Sequence, residues 1–156
     1  MQVKALLRVN QLVCHWNKDK NDIYPISADS TLPFAQHRDI FYLSGVDQEE
    51  SVLLLFPDAP YEHQKEILFL KETSEHIAIW EGEKLTKERA FQVSGIRTVY
   101  WLQDFHKVLN EMMTYADTMY INTNEHYRAS VETETREARF VKWWKENYPA
   151  HKVEKS

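Results

Sequence analysis

Two short stretches of unbroken hydrophobic residues stand near the middle of the chain. Residues 51–56 read Ser-Val-Leu-Leu-Leu-Phe, and residues 66–71 repeat the pattern after a turn-rich segment that begins at Pro57. Short continuous apolar runs bounded by turn residues are typical of strands that are buried on both faces. Because the connection between them is short, the two strands are predicted to pair antiparallel.

The segments that follow alternate between helical and extended patterns. Thr86 precedes a run of helix formers that stops at Gly95, which predicts a capped helix over residues 86–94. Apolar residues recur every three or four positions through residues 103–115, as in an amphipathic helix, and a charged, helix-favouring segment occupies residues 125–148. Short extended segments are predicted at residues 12–14, 73–82, 98–101 and 118–121.

Strands that alternate with helices predict an α/β fold, a single domain with a mixed sheet of roughly five or six strands flanked by helices. The chain has 156 residues, which is enough to bury a hydrophobic core without disulfide or metal staples. We expect the domain to occupy residues 1–150. The polar tail at residues 151–156 is expected to begin a linker.

The most distinctive stretch is residues 33–46, in which aromatic and aliphatic side chains surround a polar centre at residues 36–39. The stretch stops at Gly45, one of three glycines in the chain. A scarce glycine directly after an apolar run predicts a positive φ or a close approach of the backbone. The stretch is interpreted as a turn that fills the core. Its side chains predicted to be buried are Phe34, Phe41, Tyr42 and Leu43.

Charge and cysteine content limit the environment of the protein. The formal net charge is -5 and the pI is about 5.8, so neither nucleic acid nor an anionic membrane is expected as a partner. Cys14 is the single cysteine, which excludes an internal disulfide and agrees with a reducing compartment. The first ten residues lack the apolar core of a signal peptide, and no run is long enough to span a bilayer. We expect a soluble, cytoplasmic protein.

Catalytic patterns are scarce in this sequence. The seven histidines are scattered singly, and neither a nucleophile elbow nor a glycine-rich phosphate loop occurs. Glu72, Glu75 and His76 are close enough in sequence to be weighed as metal ligands, but a solvated polar turn explains them better. Cys14 lies in an apolar strand pattern, which favours a buried inert thiol over a nucleophile. The residues by themselves therefore favour a scaffold or interaction domain.

Several short motifs nevertheless occur in an order that is informative about the protein family. Residues 33–36 are Pro-Phe-Ala-Gln, residues 39–45 are Asp-Ile-Phe-Tyr-Leu-Ser-Gly, and a turn with Glu49 and Glu50 precedes the first apolar run. A further motif, Ile-Trp-Glu-Gly, occupies residues 79–82 and is followed by Leu85; it is called the tryptophan motif below. Together they resemble the N-terminal domain of Xaa-Pro aminopeptidases, the aminopeptidase P family, which is related to creatinase and prolidase. Ala35 stands where that family usually has arginine.

The resemblance implies a non-catalytic N-terminal domain of a metal-dependent enzyme that removes the residue preceding proline. Two divalent metal ions, expected to be manganese, would then belong to a C-terminal catalytic domain that lies beyond the linker at residues 151–156. No catalytic or metal-binding residue is assigned to the present chain. By the same resemblance Trp80 is expected to border the substrate pocket.

The implied partners are the protein's own C-terminal catalytic domain, a peptide substrate with proline at its second position, and further copies of the chain in a homo-oligomer. Two alternatives stay open. One is a stand-alone, non-catalytic interaction or dimerisation module. The other is the N-terminal domain of a prolidase or creatinase relative, which would differ in substrate alone.

Overall fold

The computed structural model describes residues 11–16, 25–27, 30–31, 36, 38–72, 84–121 and 136–155. The strands are β1 (Gln11–Trp16), β2 (Pro25–Ser27), β3 (Ser30–Thr31), β4 (Val52–Leu55), β5 (Glu66–Leu70), β6 (Thr98–Trp101), β7 (Thr118–Ile121) and β8 (Lys152–Lys155). The helices are α1 (Arg38–Ser44), α2 (Lys87–Ser94), α3 (Phe105–Met112) and α4 (Arg136–Asn147). Short 3₁₀ turns lie at Glu62–Gln64 and Leu102–Asp104.

One mixed sheet organises the described part of the chain. Its six strands run in the order β6-β5-β4-β1-β7-β8, and β2 and β3 form a separate two-stranded ribbon. The pairs β1–β4 and β4–β5 are antiparallel, whereas β5–β6, β1–β7 and β7–β8 are parallel. The predicted α/β domain with a mixed sheet and the predicted antiparallel β4–β5 pair are both confirmed.

Alternation along β4 and β5 divides the core into two layers, as expected for strands buried on both faces. On one face Val52 and Leu54 pack in a cluster with side chains of α3 and α4, including Phe105 and Trp144. On the other face Leu53 packs in a second cluster with side chains near α1 and α2. The second cluster has buried members Val46, Leu53, Leu68, Leu70, Ala90 and Ile96.

Helix α2 has the ends that its sequence predicts. The hydroxyl of Thr86 accepts a hydrogen bond from the backbone N–H of Arg89 at 3.2 Å. Gly95 has a φ of +73°, and its N–H donates to the carbonyl of Phe91 at 2.8 Å. A residue with a Cβ is strained at this φ, which is why the helix ends at a glycine.

Some segments differ from their predictions. The tail 151–156 was expected to begin a linker, but Lys152–Lys155 form strand β8 beside β7, so the sheet continues past residue 150. A charged strand at a sheet edge resists further pairing, and its polarity conceals it in the sequence. The predicted helix over 125–148 is present as α4, and residues 122–135 lie outside the described ranges. The ribbon of β2 and β3 has no predicted counterpart in the sequence analysis.

Candidate functional site

Trp80, the residue expected to border a substrate pocket, lies outside the described residues, as does the rest of the motif at residues 79–82. The described chain stops at Glu72 and continues from Lys84. The structure describes the two ends of this stretch and the contacts of residues 38–51 with other described residues.

Residues 38–44 form α1 rather than a turn, and the helix ends in a tight cap. The Ser44 hydroxyl donates to the carbonyl of Ile40 at 2.7 Å and accepts the N–H of Val46 at 3.2 Å. Gly45 follows with a φ of +68°, and its N–H donates to the carbonyl of Phe41 at 2.7 Å. The positive φ predicted for Gly45 is confirmed. This cap redirects the chain into the next turn.

The burial predicted for the aromatic residues of α1 is wrong. Phe41 and Tyr42 expose 53% and 80% of their surface, while Leu43 is half-buried against the second cluster and Ile40 is fully buried. Successive side chains on a helix point about 100° apart, so a run of four apolar residues cannot all face the core. Phe34, the fourth residue predicted to be buried, lies outside the described residues.

Residues 46–51 follow this cap and are called the polar turn below. The side-chain amide of Gln36 reaches into it: Nε2 donates to the carbonyls of Val46 at 2.9 Å and Gln48 at 3.1 Å, and lies 3.3 Å from Ser51 Oγ. The Ser51 hydroxyl in turn donates to the Gln48 carbonyl at 2.8 Å. One side chain thus satisfies several backbone acceptors that neither a helix nor the sheet uses.

The polar turn also contacts the chain just after the tryptophan motif. The Gln48 side chain is buried, and its Oε1 accepts the backbone N–H of Leu85 at 2.6 Å. The adjacent ammonium of Lys84 pairs with the carboxylate of Glu49. The Lys84 side chain is only 6% exposed and that of Glu49 is 24% exposed. The residues that follow the tryptophan motif in sequence therefore contact the polar turn.

The residue that follows β5 also contacts the polar turn. Lys71 Nζ lies 3.6 Å from Glu50 Oε1, and both side chains are at least three-quarters buried. Glu50 has a φ of +52°, a conformation that residues with a Cβ rarely adopt. Backbone strain of this kind persists where the surrounding contacts determine the conformation, and it is concentrated at functional positions.

Sequence reasoning placed Glu49 and Glu50 in a turn before β4 but did not identify their partners. Lys71 was assigned to the end of a strand, and Lys84 to the residues after the tryptophan motif. The signal available in the sequence was that the two lysines lie at either end of the predicted extended segment 73–82. Nothing local indicates which acidic residues they pair with, because the Lys84–Glu49 contact spans 35 positions.

The described residues do not form a metal-binding site. Within them, no three side chains of histidine, cysteine, aspartate or glutamate come together as they would around a metal ion. Glu72 is exposed, and its candidate co-ligands Glu75 and His76 lie outside the described residues. The described residues thus offer no group of ligands for the pair of divalent metals, which the resemblance places in a separate catalytic domain.

An aromatic cluster occupies the surface between α3 and α4. The ring of His106 lies edge-on to Trp143 with 4.5 Å between ring centroids and also meets Phe105 at 5.3 Å. Partial burial against these rings lowers the pKa of His106, because the apolar surroundings disfavour the charged imidazolium. His106 is thus a packing partner on the face of the sheet opposite α1 and α2.

No helix in the parts of the chain that the structure describes combines the length and hydrophobicity required to cross a bilayer.

The fold and the two motifs define a known class of domain. The family model described as the N-terminal domain of aminopeptidase P matches residues 19–121, which is more than half of the chain. The chain therefore belongs to the aminopeptidase P N-terminal domain family, as the sequence motifs predicted. The match contains α1, the polar turn, both lysines and residues 79–85.

Individual relatives agree with this assignment. The chain is 30% identical over 92 residues to the Xaa-Pro aminopeptidase of Haemophilus influenzae, covering 59% of this chain and 21% of that protein. It is 27% identical over 105 residues to the Xaa-Pro aminopeptidase of Escherichia coli, covering 67% of this chain and 24% of that protein. A Bacillus anthracis structure assigned to aminopeptidase P superposes with a TM-score of 0.83 at 21% identity, covering 98% of this chain and 35% of that one.

These coverages set the scope of the comparison. The matched region spans less than a quarter of either curated relative and about a third of the Bacillus anthracis chain. At 21% identity the structural likeness shows the fold, which agrees with the mixed sheet and its flanking helices.

Proposed function

We propose that the chain acts as the non-catalytic N-terminal domain of a metal-dependent Xaa-Pro aminopeptidase, an enzyme that removes the residue preceding proline. The observation that carries the proposal is the contact of the polar turn with residues next to both family motifs. Gln36 of the first motif and Leu85, which follows the tryptophan motif, both bind Gln48. A stretch that merely filled the core would not need this set of buried polar contacts.

Catalysis and metal binding belong, in this proposal, to a C-terminal domain in the same protein. That domain would hold two divalent metal ions, which we take to be manganese, and they would supply a metal-activated water. The small share of each relative that the chain covers supports this division. The single cysteine, Cys14, supports a reducing compartment such as the cytoplasm.

Trp80 is the residue we assign to the substrate pocket. A proline ring is rigid and apolar, and a flat indole offers it a large contact surface at little entropic cost. The assignment comes from the position of Trp80 in the motif at residues 79–82. The contacts of Lys84 and Lys71 with the polar turn support it, because they hold the two ends of the stretch that contains Trp80.

The test uses the protein encoded by the whole reading frame that contains these residues. We expect it to hydrolyse an Xaa-Pro peptide in the presence of manganese, and Trp80→Ala to lower kcat/KM by about tenfold with an unchanged melting temperature. Trp80→Phe keeps an aromatic face and should retain most activity. The 156-residue chain alone is expected to show no turnover.

Two results would contradict the proposal. Hydrolysis by the 156-residue chain would place catalysis in this domain. A large loss of stability in Trp80→Ala, with normal kcat/KM for the folded molecules, would make Trp80 a core residue. A prolidase or creatinase relative would instead prefer a dipeptide or creatine over longer Xaa-Pro peptides.

A second function, association with another protein chain, is favoured by the exposed apolar residues of α1 and α2. Phe41 and Tyr42 of α1 and Phe91 and Val93 of α2 are exposed on the same side of the sheet. A Cβ built on Gly45 would lie 3.5 Å from the Val93 carbonyl, so the C-terminal ends of the two helices touch. Exposed apolar surfaces of this kind mark sites of association. We assign this face to oligomer contacts, or to partner binding if the domain acts alone.

Substitution of Phe41 and Tyr42 by serine is expected to weaken self-association of the protein by about tenfold or more, measured by sedimentation equilibrium. Tyr61→Ser is the matched control, because Tyr61 is as exposed as Phe41 but lies beside the 3₁₀ turn at residues 62–64. An unchanged dissociation constant in the double variant, or an equal change in the control, would exclude this face. Detection of a heterologous partner with no catalytic domain in the reading frame would favour the stand-alone module.

A further inference from the structure

Helices α1 and α2 end in the same way. In each helix the last serine donates its hydroxyl hydrogen to the carbonyl four residues earlier, at 2.7 Å, and a glycine with a positive φ follows. The N–H of that glycine donates to the carbonyl of a phenylalanine, which is Phe41 in α1 and Phe91 in α2. The two phenylalanines therefore hold equivalent positions in their helices, and both are exposed.

Tyr42 and Val93 are exposed beside these phenylalanines, and the four residues are called the α1–α2 patch below. The two helices touch within the patch, since a Cβ built on Gly45 would lie 3.7 Å from Val93 Cγ1. The serine and glycine caps fix the helix ends that carry the patch. Exposed apolar side chains on a rigid support lose little conformational freedom when they bind, which favours association.

Opposite charges lie at the two ends of α1. Arg38 precedes Phe41 and Tyr42 by three and four residues, so these three side chains share one face of the helix. Asp47 lies beyond the C-terminal end of α1, and it is exposed between two buried neighbours, so its side chain points away from the core. Among the described residues, neither Arg38 nor Asp47 has a salt-bridge partner.

Helix formation does not favour an arginine at the start of α1. The N-terminal end of a helix carries a partial positive charge, which disfavours a cation in the first turn. Arg38 is the first residue of α1, and its side chain is exposed. A charge that does not stabilise its own helix is available for a contact with another molecule.

A second copy of the chain fits this distribution of charge. When two α1 helices pack antiparallel across a two-fold axis, the N-terminal end of each lies beside the C-terminal end of the other, so Arg38 meets Asp47 twice. Tyr42 lies four residues after Arg38 and five before Asp47, so apolar side chains occupy the centre of such a contact and charges its rim. A face with charges of one sign could not pair with itself in this way.

We propose that the α1–α2 patch binds the same patch of a second copy of the chain. The α1 helices lie antiparallel across a two-fold axis, with Arg38 of each copy against Asp47 of the other. This arrangement rests on the association proposed above for the same face, and it adds the identity of the partner and the symmetry of the contact. The apolar centre contributes most of the affinity, whereas the charged rim sets the orientation.

Charge-reversal variants of the chain test this arrangement by sedimentation equilibrium at low salt. Arg38→Asp brings like charges together at both rim contacts and should raise the dimer dissociation constant by about tenfold or more. Asp47→Arg should have an effect of the same size. An equimolar mixture of the two variants should recover the dimer, because both contacts between unlike copies again join opposite charges. High salt should reduce these differences by screening the exposed charges.

Lys107→Asp is the matched control for the charge reversals. Lys107 is exposed on α3, which packs on the opposite face of the sheet, so its reversal should leave the dissociation constant unchanged. Circular dichroism should show the parent fold in every variant. If Arg38→Asp or Asp47→Arg does not fold, Arg38→Glu and Asp47→Lys give the same readout.

Three results would overturn the two-fold contact. Single reversals that associate as the parent does, or a mixture that does not recover the dimer, would reject the geometry; weakened association in the serine variants of Phe41 and Tyr42 would still keep the patch as an association site. Assemblies in the mixture that grow beyond a dimer would indicate a head-to-tail contact. A parent chain that stays monomeric at millimolar concentration would reject both the two-fold contact and self-association, and would leave the patch to another domain or protein.

Discussion

Replacing Phe69 by alanine is expected to lower the free energy of unfolding by about 3–5 kcal/mol. Phe69 is fully buried on β5, and its ring centroid lies 5.2 Å from that of Phe105 and 5.9 Å from that of Tyr100. Truncation removes buried apolar surface and leaves a cavity between β5 and α3, which a sheet fixed on both sides cannot close. Denaturant titration of the 156-residue chain, followed by circular dichroism, measures the loss.

Phe91→Ala is the matched control for that substitution. Phe91 lies on α2 with about half of its surface exposed, and alanine is the better helix former. We expect its effect to stay within about 1 kcal/mol. Similar losses in the two variants would contradict the assignment of Phe69 to the centre of the core.

Replacing Gln36 by leucine is the second large effect, a loss of about 1–3 kcal/mol. The substitution keeps the size of the side chain but removes the donor that serves the carbonyls of Val46 and Gln48. The Ser51 hydroxyl still reaches Gln48, whereas the buried residue Val46 loses its side-chain donor. An unpaired buried carbonyl accounts for most of the expected loss.

Gln92→Leu provides the comparison for Gln36→Leu, because Gln92 is an exposed residue of α2. The same chemical change there should alter the unfolding free energy by about 0.5 kcal/mol or less. Equal effects at the two positions, measured by the same denaturant titration, would show that the Gln36 amide does not support the polar turn.

The sequence was sufficient to predict those strands and helices that are determined by neighbouring residues. Continuous apolar residues identified β4 and β5, and spacings of three and four identified α3. Thr86 and Gly95 marked the two ends of α2, because a side-chain cap and a positive φ are properties of single residues.

Other features depend on partners that the sequence does not name. The aromatic run in α1 suggested burial, but helical geometry turns Phe41 and Tyr42 outward and only Ile40 lies fully in the core. Strand β8 has no hydrophobic pattern and is a strand because β7 offers it a free edge. In both cases tertiary placement overrides the local pattern.

The candidate site, too, was predicted from the sequence only in part. The motifs named Gln36, Glu49 and Glu50, but the sequence did not connect them with Lys71 and Lys84. Ion pairs between distant positions follow from the fold and not from composition.

The place of β1 in the sheet has a consequence for how the chain folds. Gln11 lies opposite Thr118 in the parallel β1–β7 pair, so the first described strand joins one of the last. Such distant pairings close large loops and slow folding. During synthesis, β1 can find its antiparallel neighbour β4 early, but its other edge stays open until β7 leaves the ribosome. We therefore expect β1 to depend on chaperone protection at this stage more than any other strand in the described sheet.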